Sequence, residues 1–89
     1  MTSQNPGPEK LEATFSTLAL SIASSAALNL GLAPDPATGK MEKDLKMAQF
    51  HIDLLGMLQT KTQNNLAKDE SEFLQAVLAD LRMRFVQAQ

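Results

Sequence analysis

The stretch from Ala13 to Pro34 carries no charged side chain, and this feature constrains the fold more than any other. Its alanines and leucines favour a helix, because these side chains lose little conformational freedom there. A helix that faces water normally carries Lys or Glu on its outer side, whereas this one offers only Ser, Thr and Ala. We therefore interpret it as a helix that protein covers on most sides, with Phe15, Leu18 and Ile22 on one apolar stripe.

Two alternatives for this first helix stay open. A transmembrane span requires ~20 predominantly apolar residues, and here six Ser or Thr residues and Asn29 interrupt the run. A secretory signal peptide begins with a basic segment, whereas Glu9, Lys10 and Glu12 precede the apolar stretch. A membrane-associated protein anchored through helix one remains an alternative to a helix packed inside protein.

The composition of the 89-residue chain excludes several classes of site. The absence of Cys excludes a disulfide framework, a thiolate metal site and a Cys nucleophile, and a single His excludes a histidine cluster within one chain. A net charge of -2 argues against nucleic-acid binding through phosphate neutralisation. No glycine-rich phosphate loop, paired-histidine motif or nucleophile elbow occurs. The sequence therefore predicts no catalytic residue, no cofactor and no metal, and we expect a protein that is not an enzyme.

The residue pattern predicts an all-α fold. Leu and Ala are abundant, and no segment alternates apolar and polar residues in the manner of a half-buried strand. Glycine and proline punctuation predicts three helices at about 8–30, 39–64 and 69–87. Residues 1–7 are expected to form a disordered tail, and residues 8–89 a single helical domain.

Particular residues suggest where the helices begin and end. Gly31 suits the left-handed position that follows a helix, and Asn64 tolerates the same conformation. Thr38 or Gly39 offers an N-cap for helix two. Asp69, with an acidic residue three positions later, is similar to a capping box at the start of helix three.

Helix two carries apolar side chains on two nearly opposite faces. One face includes Ile52 and Leu55, and the other includes Phe50 and Leu54. The helices of one copy can cover only one of these faces, and a large exposed apolar patch marks an interface in soluble proteins. We therefore expect a homo-oligomer, with a two-fold dimer the commonest arrangement, whose contact completes the helical bundle. The candidate interface residues are Phe15, Leu18, Leu20, Ile22, Met47, Phe50, His51, Leu54, Met57 and Leu58.

His51 is the only side chain suited to proton transfer near neutral pH. Asp44 lies two turns before it, about 10 Å away by helix rise, so the two cannot touch directly. We interpret His51 as a residue at the border of a buried face, hydrogen-bonded to a backbone carbonyl or to a neighbouring chain. An enzyme or metal protein with an inter-subunit site at His51 remains the alternative.

Several segments of the chain resemble a known family. The longest are residues 44–62 in helix two and residues 73–86 in helix three. Two short segments of helix one fit the same pattern, residues 15–18 and residues 27–31. Over about residues 12 to 87, the chain resembles the bacterial family catalogued as domain of unknown function 1844.

This resemblance implies a small, soluble, cytoplasmic bacterial protein made of helices. The family pattern favours Gly where Asn64 stands and Thr where Ala67 stands, and these departures affect a turn and a helix cap rather than chemistry. The resemblance carries no known activity, catalytic residue or ligand. Together with the helix faces, it favours a non-enzymatic module for self-association or protein interaction. Its expected partners are a second copy or another protein, with no nucleic acid and no membrane.

Overall fold

The computed structural model describes residues 12–89, and helices account for most of them. Helix α1 comprises Phe15–Asn29, α2 comprises Leu45–Lys61 and α3 comprises Lys68–Ala88. No β-strand is formed in this part of the chain. The prediction of an all-α fold with three helices is confirmed.

Helix α1 begins later than the predicted start near residue 8. Thr14 has extended backbone, and its hydroxyl oxygen accepts a hydrogen bond from the Thr17 backbone N–H at 3.1 Å. This contact satisfies one of the amide groups that the first turn of a helix leaves without a partner. Residues 12–14 are therefore outside the helix. The predictions for residues 1–11, a tail and a first helical turn, fall outside the described residues.

The end of α1 at Gly31 is as predicted. Gly31 has a φ of +77°, a left-handed conformation that glycine adopts without steric conflict. The Gly31 N–H donates to the Leu28 carbonyl, and the Leu32 N–H donates to the Ala27 carbonyl, both at 3.0 Å. This pair of bonds is a Schellman motif, which satisfies carbonyl groups at the end of the helix.

Helix α2 begins at Leu45, because Asp44 rather than Thr38 or Gly39 caps it. The Asp44 carboxylate accepts a hydrogen bond from the Met47 N–H at 3.1 Å. Aspartate is among the most favourable N-cap residues. The predicted start near residue 39 is therefore wrong by several residues.

Pairing of the backbone explains the late start of α2. Leu30 and Lys43 form an isolated antiparallel bridge, and the Asp44 N–H donates to the Asn29 carbonyl at 2.7 Å. These bonds draw the segment before α2 against the end of α1 in an extended conformation. Backbone groups engaged in this way cannot form helical hydrogen bonds, so the helix begins only after them.

The turn between α2 and α3 lies where it was predicted. Helix α2 ends at Lys61, slightly before the predicted residue 64, and the Thr62 hydroxyl donates back to the Leu58 carbonyl at 2.6 Å. Asn64 has a φ of +65°. The predicted left-handed conformation of Asn64 is confirmed, although the helix ends three residues before it.

Helix α3 begins at Lys68, one residue before the predicted position, and ends at Ala88. The Ala67 backbone N–H donates to the Glu70 carboxylate at 2.9 Å, which is half of a capping box. Alanine has no side-chain acceptor to supply the other half. The predicted capping pair starting at Asp69 is therefore wrong, since the interaction involves the residues two positions earlier.

The core combines small residues of α1 with larger aliphatic residues of α2 and α3. Leu18, on the predicted apolar stripe of α1, is 48% exposed in one copy, because alanines occupy the face that meets the other helices. Alanines allow neighbouring helices to approach closely. The buried hydrophobic residues are Ala19, Ala23, Ala26, Leu30, Ala48, Ile52, Leu55, Leu74, Leu78 and Leu81.

Within one copy, α1 is not covered on most sides. Leu18, Leu20, Ser21 and Ser24 are all exposed, so the expected cover by protein is incomplete in the single chain. None of the helices formed by residues 12–89 has the length and apolarity that crossing a bilayer requires.

Candidate interaction surface

Helix α3 packs on one side of α2. A Cβ atom built on Gly56 of α2 would lie 3.2 Å from the guanidinium group of Arg82 on α3. On the same side of α2, a cavity of about 300 Å³ between the two helices is lined by Gln49, Ile52 and Phe85. This side of α2 is therefore occupied by the chain's own fold.

His51 connects a second side of α2 to α1. Its Nδ1 atom lies 2.8 Å from the Asn29 side-chain oxygen and 3.0 Å from the Met47 carbonyl oxygen. Because both oxygens are acceptors, Nδ1 carries a hydrogen atom and donates to them. The predicted hydrogen bond to a backbone carbonyl is present. The ring is half-buried and meets the Phe50 ring edge to face, with their centroids 5.3 Å apart.

Asn29 is a functional candidate that the sequence reasoning missed. It was considered only as an interruption of an apolar run, whereas its side chain holds His51 in place. It is the single amide side chain within α1. A side-chain amide that is partly buried usually has a hydrogen-bond partner, and a single amide on an uncharged helix was the available signal.

The remaining side of α2 carries large apolar side chains that one copy leaves exposed. Met47 is 41%, Phe50 51% and Met57 45% exposed, and Leu54 between them is half-buried. These residues are spaced alternately by three and four positions, the repeat with which a helix presents a continuous seam to another helix. We call these four residues the outer seam of α2.

Leu18 of α1 is a further large apolar residue that one copy leaves exposed, at 48%. It precedes Asn29 by about three helical turns and is therefore in line with it along α1. Since Asn29 binds His51, Leu18 lies on the same flank of α1 as this contact, about 16 Å from it along the helix. Leu20 is 53% exposed but lies on the opposite flank, because two residues correspond to about 200° of rotation. We call Leu18 and the outer seam together the open face.

The ten predicted interface residues fall into separate groups. Phe15, Ile22 and Leu58 pack against the core of their own chain. Leu20 is exposed on the other flank of α1. The remaining six residues are exposed or half-buried in one copy, and the interface that they would form remains a prediction. They are Leu18, Met47, Phe50, His51, Leu54 and Met57.

A second concave region lies at the turn between α2 and α3. It has a volume of about 600 Å³ and is lined by polar residues that include Thr62, Asn64, Lys68 and Glu72. The last three of these are exposed to water. Within residues 12–89, no three His, Asp or Glu side chains gather closely enough to hold a metal ion.

A family model described as "Domain of unknown function (DUF1844)" matches residues 12–87. The matched range contains the whole open face, α1, α2 and nearly all of α3. The resemblance found in the sequence is therefore confirmed. Neither a curated protein nor a solved structure matches the chain.

Proposed function

The chain belongs to this family, whose description assigns no activity, and we propose that it is a self-association module whose open face binds a second copy. One observation supports the proposal. Leu18, Met47, Phe50 and Met57 remain about half exposed in one copy, and the three on α2 lie away from Gly56, where α3 packs. Removing such apolar area from water favours association, and a two-fold contact lets the same patch serve both copies.

The open face also has the composition of an interface. Lys46, Gln49 and Asp53 follow one edge of the outer seam, where the Gln49 amide donates to the Asp53 carboxylate at 2.8 Å. The seam itself is apolar from Met47 to Met57. Interfaces combine a centre poor in charged residues with a polar rim. The arrangement supports docking of a protein surface rather than binding of a small charged ligand.

A stable dimer requires more than the outer seam. A standard interface buries about 800 Å² per partner, whereas three half-exposed Met or Phe side chains supply only about 300 Å². The flank of α1 around Leu18 must therefore take part. Ser21 and Ser25 lie on that flank and are small enough for another helix to approach closely. We infer a four-helix contact in which each copy contributes α1 and α2.

The molar mass in solution tests this proposal, and the chain offers a matched pair of substitutions. Met57 on the open face is 45% exposed, and Met83 on α3 is 54% exposed. We expect wild-type protein at micromolar concentration to have twice the mass of one chain in analytical ultracentrifugation. Met57→Glu should give the mass of one chain, because it places a charge in the contact, whereas Met83→Glu should leave the dimer unchanged.

Two results would contradict the proposal. One is a wild-type mass of a single chain even at high micromolar concentration, which would leave another protein as the occupant of the open face. The other is a dimer that dissociates in Met83→Glu but persists in Met57→Glu, which would place the interface on α3. Circular dichroism of both variants verifies that each remains helical.

The proposed location is the cytoplasm, and the alternative is attachment to a membrane through α1. High-speed centrifugation of a cell lysate without detergent distinguishes them. We expect the protein in the supernatant. Recovery in the membrane pellet, with release only by detergent, would favour anchoring through α1.

A further inference from the structure

We propose that pH controls this self-association through His51, with the dimer favoured when the imidazole is neutral. The inference rests on the proposed function, since it concerns the same open face. Histidine is the side chain whose charge ordinarily changes between pH 5 and 8. His51 is the only histidine in the chain, so a single position carries the effect.

The hydrogen bonds of His51 determine what a second copy would do to the ring. Nδ1 already donates to Asn29 and to the Met47 carbonyl, and no residue among 12–89 forms a hydrogen bond with the Nε2 atom on the far side of the ring. The ring also contacts Phe50, a member of the outer seam, at a centroid distance of 5.3 Å. A copy that covers Phe50 therefore also excludes water from the exposed part of the imidazole.

Among residues 12–89, no carboxylate forms a hydrogen bond or salt bridge with His51. Helix α1 carries no charged residue from Phe15 to Asn29, and α3 packs on a different side of α2. On α2, Asp53 lies on the opposite edge of the seam, and Asp44 is two turns away with its carboxylate bound to a backbone N–H. The other charged residues at that end of α2 are Glu42, Lys43 and Lys46.

The cost of desolvation then gives the sign of the effect. A neutral imidazole loses only a weak hydrogen bond to water when the interface closes, whereas an imidazolium loses strong hydration without gaining a partner. Contact between two copies therefore favours the neutral form. By linkage, the dimer is tight at pH values where free His51 is neutral and weakens as the pH falls through its titration.

The dissociation constant of the dimer at pH 7.5 and pH 5.5 tests the inference. We expect the dissociation constant of the wild-type dimer to be at least about tenfold higher at pH 5.5 than at pH 7.5. A tenfold change corresponds to a difference of one pH unit between the titration midpoints in the dimer and in the monomer. His51→Gln retains a side-chain N–H donor and cannot titrate, so its dissociation constant should be the same at both values. Circular dichroism at each pH verifies that the chains remain folded.

A second measurement keeps the inference testable if His51→Gln does not fold. The ring protons of His51 report its titration by NMR, and Met57→Glu provides the monomeric reference. We expect a lower titration midpoint in the wild-type dimer than in this monomer.

The outcomes separate this inference from the proposed function. A dimer with equal dissociation constants at the two pH values, or with the same His51 midpoint as the monomer, would overturn the inference and leave self-association intact. A tighter dimer at pH 5.5 would also overturn it, since a carboxylate of the second copy would then face the ring. Absence of a dimer at pH 7.5 would overturn the proposed function itself.

Discussion

Gly31 shows how one residue decides where α1 stops. Its φ of +77° costs a residue with a Cβ atom about 1–2 kcal/mol. A Cβ atom at this position would meet the Glu42 carbonyl oxygen at 3.8 Å and the Lys43 Cβ at 3.9 Å, which is ordinary contact. Strain of the backbone is therefore the whole effect. We expect Gly31→Ala to lower the free energy of unfolding by about 1 kcal/mol in urea titrations.

Gly56 is the matched control for this prediction. It lies within α2, where alanine is favoured over glycine by about 0.5–1 kcal/mol. The atom nearest to an added Cβ is the end of the flexible Arg82 side chain, which can move away. Gly56→Ala should therefore leave stability unchanged or raise it. If Gly56→Ala lowered the free energy of unfolding as much as Gly31→Ala, the added volume of the methyl group, not the backbone conformation, would explain the destabilisation.

A residue was predictable from the sequence where few residue types can adopt the required backbone conformation. It was not predictable where several nearby residues could serve equally well as the helix cap. Gly31 and Asn64 were identified correctly, because few other residue types tolerate the left-handed conformation. Asp44 was not identified as a cap, because Thr38 and Gly39 offer the same chemistry locally. The choice among them depends on the bridge between the end of α1 and the start of α2, which joins residues distant in sequence.

At the scale of a helix, the start of α3 is left incompletely capped. Ala67 occupies the N-cap position and makes no side-chain hydrogen bond, although its N–H reaches Glu70. A threonine hydroxyl at this position can accept a hydrogen bond from the first turn of the helix. We expect Ala67→Thr to raise the free energy of unfolding by about 1 kcal/mol, measured by urea titration.

The same substitution inside α3 provides the control. Ala79 is exposed within the helix, where threonine is less favourable than alanine by a few tenths of a kcal/mol, up to about 0.7. Ala79→Thr should therefore lower stability slightly. If the two substitutions changed the free energy of unfolding equally, a role for Ala67 as the N-cap position would be contradicted.

The existence of each helix was predictable, but the orientation of α1 was not. An amphipathic helix reveals its buried side through the contrast between apolar and charged positions, and α1 lacks charged residues altogether. The larger side chains Phe15, Leu18 and Ile22 form an apolar stripe in the sequence, but the pattern does not show which part of it one copy buries. The structure buries Ala19, Ala23 and Ala26 fully, with Phe15 and Ile22 partly buried beside them, because close approach of the three helices requires small residues at the contact.

At the scale of the whole molecule, the sequence showed that α2 has two apolar faces but not which one the chain uses. The structure buries Ile52 and Leu55 and leaves Phe50 exposed with Leu54 half-buried beside it. Both faces have the spacing of a helix seam, so the choice depends on where α1 and α3 reach α2. Packing of α1 and α3 therefore covers one apolar face of α2 and leaves the other on the surface of the molecule.

Coupling between folding and association leads to a further prediction. If two copies bury the open face only when folded, association stabilises the native state, and the midpoint of thermal unfolding depends on protein concentration. For a chain of this size we expect the wild-type midpoint to rise by about 3–5 °C for each tenfold increase in concentration. In Met57→Glu the midpoint should be independent of concentration, because the charge prevents the contact in the folded state.

Met83→Glu is the control and should retain the wild-type slope, since its side chain lies on α3 away from the open face. Calorimetry or circular dichroism over two decades of concentration measures these slopes. A wild-type midpoint without concentration dependence would mean that the open face contributes nothing to the stability of the folded chain.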